Sequence, residues 1–69
     1  MIYGIVYYTK GGKGYLFQQA FEEQHAMEIA SKMNDLLATG ATIYNDKFYG
    51  KLDLRDVDYF TVEPSSEMY

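Results

Sequence analysis

EQHAMEIASKMNDLLA, residues 23–38, has the spacing of an amphipathic α-helix. Its apolar residues recur three and four positions apart and would form one stripe, made of Ala26, Ile29, Ala30, Met33, Leu36 and Leu37. Glu22 and Glu23 stand at the start, where the partial positive charge of a helix favours carboxylates. Gly40 follows and suits the left-handed conformation in which helices often end. The stretch therefore predicts a helix from about Glu23 to Ala38.

A β-hairpin is predicted before the helix. Residues 1–9 and 15–20 are rich in β-branched and aromatic residues, which favour strands. Residues 10–14 hold three glycines, which allow the tight reversal between two strands. Strict alternation would place one set of side chains on a common face of the second strand: Tyr15, Phe17, Gln19 and Phe21.

Further strands are predicted after the helix. Residues 41–44 and 47–49 suggest a second hairpin, and Gly50 suggests a bend or bulge. One short helical turn is expected within residues 52–56. Residues 58–63 alternate as a strand, which Pro64 should end.

The element order β-β-α-β-β-β predicts an α+β domain, one antiparallel sheet with the helix packed on one face. The helix stripe should cover Phe60 and Val62. It should also cover one alternate set of the first strand, either Ile2, Gly4, Val6 and Tyr8 or Tyr3, Ile5 and Tyr7, and the pattern leaves both open. We expect a single domain over residues 1–63 and a frayed tail over residues 64–69.

Composition excludes several classes of protein. With no cysteine and one histidine among 69 residues, the chain has no disulfides, thiolate metal sites or multi-histidine sites of its own. No apolar run approaches the roughly 18 residues that span a bilayer, and the N-terminus does not resemble a signal peptide. We therefore expect a cytoplasmic protein. Its net charge of −4 disfavours nucleic-acid binding. The charge either simply keeps a small protein in solution or favours a basic protein partner.

The sequence offers little for catalysis, and we expect neither an enzyme nor a bound cofactor or metal. His25 has no nucleophile at a suitable spacing to activate. The glycines of residues 10–14 lead into a strand, whereas a phosphate-binding loop leads into a helix. The acidic residues Asp53, Asp56 and Asp58 do not match the spacing of a calcium loop.

Eight tyrosines stand out in so short a chain, at positions 3, 7, 8, 15, 44, 49, 59 and 69. One helix can cover only one face of a sheet, so several rings must lie on the opposite face or at the rim. Tyrosine there either covers a partly hydrated sheet or forms an interface, since tyrosine is enriched at protein contacts.

In outline the chain resembles small phage-encoded anti-defence proteins, including some anti-CRISPR inhibitors. The shared features are a very short domain, an acidic balance, absence of cysteine, a sheet with one helix, and an aromatic excess. The resemblance implies a stoichiometric inhibitor that covers a positively charged nucleic-acid channel on a host protein. No motif is matched, so no functional residue is carried over.

The leading hypothesis is therefore a non-enzymatic, acidic protein-interaction module. Its candidate binding residues are the carboxylates and three tyrosines: Glu22, Glu23, Glu28, Asp35, Asp53, Asp56, Asp58, Tyr44, Tyr49 and Tyr59. Two alternatives stay open. The chain could form a homodimer through a tyrosine-rich sheet face or an edge strand, or it could bind a small ligand or nucleotide at residues 10–14 beside Tyr15.

Overall fold

The computed structural model describes residues 1–47 and 50–64. The elements are β1 (Tyr3–Thr9), β2 (Gly14–Ala20), α1 (Glu23–Ala38), β3 (Ile43–Asp46), β4 (Gly50–Asp53) and β5 (Val57–Pro64). The predicted α+β class, element order and helix are confirmed. Residues 48 and 49 of the predicted strand 47–49 lie outside the described residues, and so do residues 65–69 of the predicted tail.

The described strands form a three-stranded sheet in the order β2-β1-β5 and a separate two-stranded hairpin of β3 and β4. All three strand pairings are antiparallel. The sequence pattern does not indicate this division of the strands. The helical turn expected within residues 52–56 is wrong, because Leu52 pairs with Tyr44 and Asp53 with Ile43 in the hairpin. The chain then reverses in a turn in which the Val57 N–H donates to the Leu54 carbonyl at 3.2 Å.

The core lies between the three-stranded sheet and α1. Ile5 of β1 and Met33 of α1 are fully buried there, and Phe60 of β5 is buried beside them. This settles which side chains of β1 face the helix, namely Tyr3, Ile5 and Tyr7. The prediction that the helix covers Phe60 and Val62 is confirmed. Burial of side chains as large as Ile5 or Met33 contributes about 1.5–3 kcal/mol each to folding.

The helix ends in a Schellman motif. The Gly40 N–H donates to the Leu37 carbonyl at 3.1 Å, and the Ala41 N–H donates to the Leu36 carbonyl at 3.2 Å. Gly40 has φ +83°, a conformation that is strained for any residue with a side chain. Leu36 and Ala41 both pack against the core, as this motif favours.

A β-bulge interrupts β2. Ile5 pairs with Gln18 but Val6 pairs with Leu16, which makes Phe17 the extra residue. Tyr15 and Phe17 share the core side of β2 as expected, but the expected alternation is wrong beyond the bulge. Phe17 and Ala20 are buried, whereas Gln19 is exposed and the Phe21 side chain, just beyond the strand, is 81% exposed.

Candidate interaction surfaces

One face of the three-stranded sheet is covered twice. α1 packs on the core cluster, and so do Tyr44 and Leu52 of the β3–β4 hairpin. Tyr44 meets Phe17 edge to face at 6.0 Å between ring centroids, and the Gln18 side chain donates a hydrogen bond to Asp46 at 3.0 Å. Because helix and hairpin share one side of the sheet, the other side is left uncovered by the described residues.

Tyr8, Leu16 and Tyr59 lie on that uncovered side, and we call them the tyrosine face. Residues directly opposite one another on neighbouring strands share a face, and Tyr8 is paired with Tyr59 while Leu16 is paired with Val6. The rings of Tyr8 and Tyr59 stack at 5.2 Å between centroids. Tyr59 is 47% exposed and Leu16 48% exposed.

The Tyr8 ring is held in place from two directions. Its hydroxyl donates a short hydrogen bond to the carboxylate of Glu63. That bond, with a smaller effect of desolvation, raises the pKa of Tyr8. On the other side, a Cβ on Gly14 would lie 2.7 Å from Tyr8 Cε1, so the ring passes directly over the glycine. A fixed Tyr8 thus supports the more exposed Tyr59.

Other tyrosines belong to the core. Tyr7 packs on Phe60 and Tyr15 at centroid distances of 5.6 and 5.5 Å. Burial, and to a lesser extent Tyr15, raises the pKa of Tyr7. Tyr44, a candidate binding residue, is half-buried against the same cluster and has a packing role. The candidate Tyr49 lies outside the described residues.

A second surface runs along the solvent side of α1. It carries four exposed carboxylates, Glu22, Glu23, Glu28 and Asp35, and we call it the acidic helix surface. Residues 22–39 hold these four acids and one lysine, so they contribute −3 of the net charge of −4. Met27, 57% exposed, lies among the carboxylates and is an apolar side chain that the sequence analysis did not include among the candidate residues.

The remaining candidate acids follow β4. Asp53 is paired with Arg55, whose Nη2 lies 2.7 Å from Asp53 Oδ2. Hydrogen bonds from Arg55 lower the pKa of Asp53 to about 2. The negative charge of Asp53 is therefore offset by the positive charge of Arg55. Asp56 and Asp58 are exposed near Lys10, whose N–H donates to the Asp56 carbonyl at 2.9 Å.

The structure does not bring the candidate residues together. The acidic helix surface is the solvent-facing side of α1, and Tyr59 lies on the side of the sheet opposite α1. Proximity in the sequence could not reveal this separation, which depends on which side of the sheet α1 occupies.

Asn34 is the other residue that sequence reasoning missed. Its side-chain amide donates to the Phe60 carbonyl at 2.9 Å and accepts from the Phe60 N–H at 2.8 Å. Asn34 thus occupies both backbone groups of Phe60 on the side of β5 that faces away from β1. The signal in the sequence was an amide next to Met33, at the border of the apolar stripe.

The described residues contain no group of three or more histidine, aspartate or glutamate side chains placed to hold a metal ion. His25 is exposed on α1. Within the same part of the chain, no helix has the length and apolarity needed to cross a bilayer. Comparison with known proteins gives no match: no family model fits the chain, and no curated protein or solved structure is significantly similar to it.

Proposed function

We propose that this chain is a non-enzymatic protein-interaction module that binds a basic protein through the acidic helix surface. The observation that carries the proposal is the segregation of charge: residues 22–39 contribute −3, and the rest of the chain contributes −1. Four carboxylates and a single lysine, Lys32, give this surface an excess of negative charge, which attracts a basic partner and speeds the encounter. Met27 in the middle of this surface supplies an apolar contact that charge alone lacks.

The partner class we favour is a protein that handles nucleic acid. Carboxylates spread along a helix can form ion pairs with the lysines and arginines of such a protein, which otherwise contact the phosphates of nucleic acid. The chain would then act as a stoichiometric inhibitor of the anti-CRISPR kind. A cytoplasmic location would suit this role.

Two charge-reversed double variants test the surface. Affinity capture from the natural host, followed by purification of the captured protein, supplies the partner. We expect Glu23→Lys with Glu28→Lys to weaken binding by about tenfold or more, because each lost ion pair is worth up to about 1 kcal/mol and repulsion replaces it. Asp56→Lys with Asp58→Lys makes the same change in net charge elsewhere and should leave the affinity nearly unchanged.

Two further measurements examine the mechanism. The affinity should fall steeply between low and high salt, since exposed charges are screened. A nucleic-acid oligomer should displace the chain from its partner. Binding that survives molar salt, or equal losses from the two double variants, would refute the acidic helix surface as the binding site.

Self-association through the tyrosine face is a second candidate function. It is favoured by the exposure of Leu16 on β2 and Tyr59 on β5, which flank Tyr8 of β1 on a sheet face that the described residues do not cover. Two such faces related by a twofold axis would bury the exposed apolar side chains of both copies. Light scattering at micromolar concentration decides: a dimer that Tyr59→Ser converts to monomer supports it, and a monomeric unmodified protein excludes it.

A further inference from the structure

A groove of about 490 Å³ runs between α1 and the outer side of β5. Its apolar lining includes Met27 and Ala30 from the helix and Val62 and Pro64 from the strand. We call it the α1–β5 groove. It lies beside the acidic helix surface and shares Glu23, Met27 and Asp35 with it.

The charges that line the groove have one sign. Glu23 and Asp35 line it, and none of its described lining residues is basic. They are twelve residues apart on α1, which places their backbones about 18 Å apart along the helix axis. An occupant that carries basic side chains near both carboxylates and an apolar side chain between them would match this arrangement.

The hydrogen bonds of Asn34 decide how an occupant can bind. A peptide that joins a sheet edge pairs with the backbone N–H and C=O groups of the edge strand. At Phe60 both groups are already bonded to Asn34. Pro64, at the end of β5, has no N–H to offer. Pairing of a new strand with β5 is therefore blocked at Phe60 and lacks a donor at Pro64, which favours an occupant that inserts a side chain.

We infer that the α1–β5 groove receives an apolar side chain of the partner protein, flanked by lysine or arginine residues that pair with Glu23 and Asp35. This inference rests on the proposed function and adds a specific anchor to it. Charge brings the partner to α1, and the groove selects a basic segment that has an apolar residue at its centre. Shielding of an anchor from water by surrounding polar contacts is typical of the residues that dominate binding energy.

Two synthetic peptides test this anchor. Both are flanked by arginines and have equal length and charge, and one has leucine at its centre where the other has serine. We expect the leucine peptide to bind the intact protein at least about tenfold more tightly, because burial of a leucine side chain is worth more than the 1.4 kcal/mol of a tenfold change. NMR chemical shifts should place the leucine peptide beside Ala30 and Val62.

Matched lysine variants separate the groove from the general charge. Ser31 is exposed and lines the groove, so Ser31→Lys fills it without disturbing the core. His25 is exposed on the same helix and does not line the groove, so His25→Lys adds a lysine outside it. We expect Ser31→Lys to abolish the preference for leucine and His25→Lys to retain it.

The outcomes distinguish this inference from the proposed function. Equal affinity of the two peptides for the intact protein would overturn the groove assignment and leave the acidic helix surface as the binding site. A leucine preference that survives Ser31→Lys would overturn it as well. Binding of neither peptide would also overturn it, and the proposed function would still be decided by the charge-reversed variants and the purified partner.

Discussion

Replacing Asn34 tests how far the outer edge of β5 depends on one side chain. Asn34→Ala removes the amide that both donates to and accepts from the backbone of Phe60. Each bond is worth about 0.5–1.5 kcal/mol, so the free energy of unfolding should fall by about 2 kcal/mol. In a domain of this size, that loss lowers Tm by about 8–16 °C.

Asn34→Asp is the matched variant, because it keeps the shape of the side chain and an oxygen that can accept from the Phe60 N–H. Near neutral pH its carboxylate cannot donate to the Phe60 carbonyl. Once protonated it can, and a hydrogen bond to the neutral form raises the pKa of the new carboxyl in the folded state. The stability that it restores is therefore present below the unfolded pKa of about 4 and is lost as pH rises through the folded pKa.

Three measurements check the role of Asn34. Chemical denaturation gives the loss of stability relative to the unmodified protein, and native-state hydrogen exchange should show faster exchange of the Phe60 amide. Size-exclusion chromatography should show self-association of Asn34→Ala, because an unprotected edge strand pairs with copies of itself. A change in unfolding free energy below about 0.5 kcal/mol, with unchanged exchange at Phe60, would refute the reasoning.

Three further predictions follow from single contacts. Ile5→Ala removes a fully buried side chain and should cost about 2–5 kcal/mol, enough to leave much of the protein unfolded by circular dichroism. Gly14→Ala places a Cβ 2.7 Å from Tyr8 Cε1, so the Tyr8 ring must move and its NMR ring signals should shift; unchanged signals would contradict the contact. Arg55→Ala should raise the pKa of Asp53 from about 2 toward 3.8, measured by carboxyl NMR titration. Because the pKa of Asp53 is lowered in the folded state, the stability that this carboxyl contributes is present above about pH 4 and is lost as pH falls toward 2.

Much of the fold could be predicted from local patterns. The helix bounds agree with the prediction because its apolar residues keep a 3.6-residue period and Gly40 ends it. The alternation around Phe60 and Val62 likewise predicts β5. In these elements one face is apolar and the other polar, so the pattern identifies the buried side.

The rest depends on contacts that a local pattern does not contain. Both faces of β1 are largely apolar, so alternation cannot show that Ile5 faces α1. The bulge at Phe17 has no glycine or proline to mark it. The pairing of β3 with β4, apart from the larger sheet, places Tyr44 in the core, which the count of tyrosines cannot foresee.

The candidate site shows the same limit, because a list of carboxylates and tyrosines carries no information about which side of the sheet each occupies. Once α1 is placed, its residues contribute most of the net charge on one side, and the opposite face carries stacked Tyr8 and Tyr59, with the Glu63 carboxylate bonded to the Tyr8 hydroxyl. A basic partner is attracted to the first surface, whereas the second gains most from an apolar contact. A partner bound along α1 would leave the tyrosine face accessible on the far side of the sheet. Inhibition of a basic protein and self-association are therefore compatible in one molecule, because they use opposite surfaces.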